Sequence, residues 1–96
     1  MDTALFKQTL ANAKPPAGID IYLESLWEDG RGNWDRAHTL IQDLTDSKAA
    51  WIHAYLHRKE GDIWNADYWY SKAGRKRPDL SLEQEWEFIV DEFLRQ

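Results

Sequence analysis

Residues 32–41 read GNWDRAHTLI, and 29 positions later the chain reads GDIWNADYWY. In this register Gly32 falls on Gly61, Asn33 on Asp62 and Ala37 on Ala66. The same shift lays Tyr22 over Trp51, Leu23 over Ile52 and Trp27 over Leu56 upstream. Such an echo restricts the fold sharply. It describes one helix–turn–helix unit used twice, because a single hairpin cannot bury its apolar face and must stack on another to do so.

The apolar spacing supplies the helices. Leu5, Phe6, Leu10 and Ala13 form a short stripe near residues 3–13. Pro15 and Pro16 end it, since they offer no amide proton and bias the preceding residue away from helix. Ile19, Tyr22, Leu23, Leu26 and Trp27 follow the i, i+3, i+4, i+7, i+8 rule and predict a second helix that stops at DGRG. Asn33 is suited to cap a third helix, with Trp34, Ala37, Leu40, Ile41 and Leu44 on one face. A fourth is expected near 47–60, ending before Gly61, a residue that accepts the left-handed cap conformation. Asp62 caps a fifth, whose stripe is Ile63, Ala66, Trp69, Tyr70 and Ala73 and whose end is marked by Gly74 and Pro78. Ser81 and Gln84 have capping-box spacing at the head of a last helix with Leu82, Trp86, Ile89, Val90 and Phe93 as its seam. Glu83, Glu85 and Glu87 lie near the positive end of its dipole. No strand-like alternation competes. The expected fold is all-α: antiparallel helical hairpins, about two repeats, with an N-terminal helix and a C-terminal capping helix, in one domain over 1–96.

Composition narrows the function classes. The chain has no cysteine, which excludes disulfides, thiolate chemistry and cysteine-based zinc sites. A formal net charge of -5 argues against general affinity for nucleic acid or acidic membranes. Residues 1–14 lack a basic leader with a continuous apolar core, and no run approaches the ~20 apolar residues that span a bilayer. No signal peptide and no membrane association are expected, and a cytoplasmic location is the default. There is no Gly-rich phosphate loop, Ser-centred elbow or dinucleotide fingerprint, so no cofactor is implied.

Ala66, Tyr70, Ala73 and Pro78 reproduce the order and spacing of small, aromatic, Ala and Pro positions in the second helix of tetratricopeptide and Sel1-like repeats. The first unit matches more weakly, through Ala37, Ile41 and Leu44. Residues 19–78 thus resemble a TPR-like or Sel1-like helical repeat, which implies stacked hairpins and a surface for a protein or peptide. Two departures stand. The 29-residue offset is shorter than the roughly 34 residues of a tetratricopeptide repeat, and the usual aromatic and Gly of its first helix are missing. Residues 27–75 also look like a set of small uncharacterised bacterial proteins, a resemblance that brings no activity with it.

The residues able to carry chemistry are few. His53 and His57 stand four apart on the fourth helix, so both imidazoles share one face, and Glu60 continues that face. Two His at this spacing can share a metal ion, with Glu60 or His38 as a third ligand. A zinc-protease motif would place Glu after the first His, where this chain has Ala54. The competing structural reading makes the imidazoles neutral core groups, bonded to a backbone carbonyl or a Tyr hydroxyl. Arg58 is expected to pair locally with Asp62, and Asn65 offers both a donor and an acceptor on the side of the fifth helix away from its main stripe. Trp64 and Tyr68, an i, i+4 pair, lie roughly opposite Ala66. Either the last helix covers them or they are exposed as a partner-binding surface. Lys72, Arg75, Lys76 and Arg77 form the one basic cluster, opposed just downstream by three Glu, which makes a nucleic-acid partner unfavourable.

Two functions follow as expectations. The first is a non-enzymatic interaction module that contacts a protein or peptide through Trp64 and Tyr68, or forms a homo-oligomer. The alternative is a small-ligand or metal-binding protein, open to catalysis, with His38, His53, His57, Arg58 and Asn65 around the ligand and His53, His57 and Glu60 on the metal.

Overall fold

The computed structural model describes residues 1–96 as six helices: α1 Thr3–Thr9, α2 Ile21–Gly30, α3 Trp34–Ile41, α4 Ser47–Lys59, α5 Ile63–Lys72 and α6 Leu82–Leu94. Side-chain caps set most of the starts. Asp2, Asp20, Asn33, Asp62 and Ser81 each accept the amide three residues on, which satisfies one of the unpaired N–H groups at a helix head. Ser81 and Gln84 complete the reciprocal capping box. Gly32 and Gly61 take positive φ, +85° and +90°, at the turns inside the two hairpins, where any side chain would strain the backbone. The first helix is shorter than its apolar stripe, and the second begins after the Asp20 cap rather than at Ile19.

The hairpins α2–α3 and α4–α5 make the densest contacts, and α4 sits against α2, α3, α5 and α6. Residues Ala49 to His57 of α4 are all buried. A helix enclosed on every side must be apolar all round or have its polar groups paired, and Trp51, Ile52, Ala54, Tyr55 and Leu56 meet that demand. Aromatic rings fill the seams. Trp51 meets Phe88 and Phe93 edge-on, with centroids 5.7 Å away in both cases, and Arg75 lies over its face. The indole N–H groups of Trp27, Trp34, Trp51 and Trp86 each find an oxygen acceptor, as buried Trp rings require.

The last helix runs against α1, α2 and α4. It therefore leaves Trp64 and Tyr68 uncovered, which corrects the expectation that α6 shields them: Trp64 is 83% exposed and Tyr68 48%. No helix is long and apolar enough to cross a membrane.

Candidate metal centre

The three imidazoles meet. His38 on α3 and His53 and His57 on α4 place one ring nitrogen each within 4.8 Å of the others. His38 Nε2 lies 2.9 Å from His53 Nε2, so one of the two donates to the other. The rings of His53 and His57 stack at 4.8 Å between centroids, as the i, i+4 spacing on α4 dictates. His38 stands edge-on to both, at 4.7 and 5.3 Å.

Two indoles hold the cluster in place. Trp34 stacks on His38 at 5.0 Å, and its own N–H donates to the Leu56 carbonyl at 2.8 Å, anchoring α3 to α4. On the other side Trp69 of α5 stacks on His53 at 4.0 Å. His53 and His57 are only 6% and 8% exposed, whereas His38 is half-buried. The partners are other than the carbonyl or Tyr hydroxyl expected for core imidazoles: His53 bonds to His38, and His57 Nδ1 bonds to Glu60 Oε1 at 2.6 Å.

Burial and ring neighbours favour the neutral form of His53 and His38. Burial first, then the neighbouring His38 and His57 rings, pushes the His53 pKa from its ordinary 6.5 down to about 4. His38 is lowered too, chiefly by burial and then by His57. Desolvated imidazoles resist taking up a second proton, so a cation at His38 and His53 near neutrality has only the one shared N–H proton of that pair to displace. Imidazole nitrogen suits zinc, copper, nickel and cobalt. Tetrahedral zinc with Zn–N near 2.0–2.1 Å would separate its ligand nitrogens by ~3.3 Å, so the His38–His53 contact need open by only a few tenths of an ångström.

Glu60, the metal ligand the sequence suggests, holds a ring nitrogen of His57 in this structure. Its carboxylate binds the Nδ1 side of His57 and leaves Nε2 as the free nitrogen of that ring. A carboxylate on the far nitrogen is the usual way a metal-ligating His is oriented and made more basic. His57, Glu60 and Asp62 form a second cluster of potential ligands, more exposed than the first. Asn65 is half-buried and hands its backbone amide to the Asp62 cap, outside the imidazole hydrogen bonds.

Arg58 departs from the expected pairing with Asp62. It reaches across to α6, donating to Glu85 Oε1 at 2.8 Å and to the Leu80 carbonyl. Glu85 is fully buried and also accepts from Tyr70 at 2.6 Å and from the Trp51 indole at 3.3 Å. A second buried carboxylate, Asp29, accepts from the Tyr55 hydroxyl at 2.9 Å and pairs with Lys59 at 3.0 Å. Burial raises the Tyr70 and Tyr55 hydroxyls above the ordinary tyrosine range, and the carboxylate beside each adds to the effect. Both acids were detectable in principle: Glu85 lies between Leu82 and Trp86 on the stripe of α6, and Asp29 three residues beyond Leu26. The basic cluster is largely engaged, with Arg77 on Asp67, Arg75 over Trp51 and Lys72 over Tyr68.

No protein-family model matches the sequence, and neither a curated protein nor a solved structure matches the chain.

Proposed function

We propose that this chain is a small metal-binding helical protein whose ion is held by His38, His53 and His57. The observation that carries the reading is the meeting of three imidazole nitrogens from two helices within 4.8 Å. Glu60 on His57 and the stacked Trp34 and Trp69 supply the orienting shell that a metal ligand set needs. The ion is a borderline transition metal of the zinc class.

Thermal melts with and without zinc test this, alongside elemental analysis of protein equilibrated with zinc and then desalted. At a free zinc concentration 100 times the dissociation constant, binding stabilises the fold by about 2.7 kcal/mol, which raises the midpoint by about 10–20 °C in a domain of this size. One zinc per chain, lost in His38→Ala, is the expected result. Sub-stoichiometric zinc together with an unshifted melt ends the proposal.

We also read the two hairpins as a divergent pair of TPR-like or Sel1-like units. The matching glycine turns at Gly32 and Gly61 support this. On that reading the outer face of α5 is an interaction surface, favoured by the exposure of Trp64 and its alignment with Tyr68 and Lys72. The partner is a protein or peptide, and a second copy of the chain is the form easiest to test. Light scattering over rising concentration should show a dimer that Trp64→Ala dissociates; a monomer throughout rules out self-association.

A further inference from the structure

We infer that an ion held by His38, His53 and His57 keeps one coordination position free of the protein, for exchangeable solvent or a small anionic oxygen or nitrogen donor. This rests on the metal-binding reading above and adds that the centre is of the open kind. A site that only props up a fold closes its tetrahedron with four protein ligands, whereas a site that handles a substrate supplies three and leaves the fourth to water or the substrate itself.

The ligand count stops at three here. The cluster containing His38 and His53 includes no carboxylate. Glu60 and Asp62 group with His57 alone, and Asp35, the other acid that acts on His38, is in neither group. Glu60 is committed to Nδ1 of His57, and the two nitrogens of an imidazole point away from each other. A carboxylate on one therefore cannot reach an ion on the other without leaving its present bond. Trp34 and Trp69 are pressed flat on the rings of His38 and His53, and an indole nitrogen carries only a donor hydrogen. Neither can close the sphere.

Access follows from the burial pattern. His53 and His57 sit in the core on α4, but His38, on the shorter α3, is half-buried. His38 is thus the one of the three residues with appreciable solvent contact, and entry is assigned to its side. A donor entering there meets an ion fixed from behind by two buried rings. Small anions are the favoured class, because three neutral imidazoles leave the full charge of a divalent ion uncompensated.

Cobalt is the probe, since its visible bands report coordination number and ligand exchange. Metal-free full-length protein is titrated with cobalt chloride, and the loaded protein is then titrated with sodium azide and, separately, across pH. Expected are one cobalt per chain with tetrahedral bands, a saturable change with azide, and a pH-dependent change in the bands as bound water loses a proton. Glu60→Gln should bind cobalt ~10–100-fold more weakly yet still respond to azide, because it loses orientation rather than a ligand. Bound cobalt whose bands ignore both azide and pH overturns the open position while leaving the metal site standing. No cobalt uptake overturns both. Equal uptake by His38→Ala locates the ion at His57, Glu60 and Asp62 instead, and the inference fails.

Discussion

Replacing Glu85 by Ala should be among the most damaging single changes in the molecule. This carboxylate is fully buried, and three helices converge on it through Trp51 and Arg58 of α4, Tyr70 of α5 and its own α6. Its loss strands the Arg58 guanidinium, and breaking a buried ion pair from one side costs about 3–5 kcal/mol. The Tyr70 hydroxyl and the Trp51 indole lose their acceptor as well, at about 1–3 kcal/mol each when no water replaces it. These terms share one carboxylate and do not add fully. The Arg58 side chain is 17% exposed and can turn partly to solvent, which lowers the first term. A net loss of about 4 kcal/mol is expected, against roughly 5–15 kcal/mol for the whole fold of such a domain. Glu85→Gln keeps an acceptor oxygen and should lose about half as much. Urea melts followed by circular dichroism measure both, and Arg58→Met with the Arg58→Met/Glu85→Ala double variant completes a cycle. A loss below about 1 kcal/mol for Glu85→Ala, or a coupling energy near zero, would refute the argument.

Two further outcomes are expected. In metal-free protein, stability should fall as pH drops through the ordinary His value of 6.5 toward about 4, because the unfolded chain takes up a proton that buried His53 refuses. The lowered His38 acts in the same direction, opposed in part by the carboxylates of Glu60 and Asp35. The full shift corresponds to roughly 3 kcal/mol, or about 1–2 kcal/mol after discounting for solvent screening at the half-buried His38 edge. Urea melts between pH 7 and 5 should show this slope in wild type and a shallower one in His53→Gln, where His38 alone contributes; equal slopes in both count against it. Gly61→Ala should cost about 1–2 kcal/mol. Its φ is +90° and an added Cβ meets nothing within 4 Å, so the penalty is purely conformational. A thermal melt unchanged by this substitution would show that the turn relaxes.

What could be read from the residues was local. Caps at Asn33, Asp62 and Ser81, the glycine turns and the two hairpins depend on neighbours a few positions apart, where propensity and spacing decide. The face shared by His53 and His57 is legible for the same reason. Their meeting with His38 is not, because it depends on how α3 lies across α4. Arg58 shows the limit most clearly: Asp62, four residues away, is the natural partner on a helix, yet the side chain spans 27 positions to reach Glu85. A buried carboxylate with no other full-charge counterpart outcompetes an exposed one, since leaving it unpaired costs far more. The fate of Trp64 turned on the same kind of fact, namely which groove α6 chose. That groove runs along α1, α2 and α4, where Phe6, Leu26 and Trp51 gave Trp86 and Phe93 more surface to bury.

The complete enclosure of α4 has a kinetic corollary. A segment wrapped by four others exposes its amides to exchange only when the entire molecule opens, while short rim elements fray far more readily. Two of the converging rings ride on that inner rod, and the remaining one rides on α3, only 8 residues long, with just Ala37 and Ile41 deeply seated. On the proposed metal-binding reading, residence of the ion would be governed by how often the outer jaw lifts, and substitutions that pin or loosen α3 would tune release while leaving the three imidazoles in place.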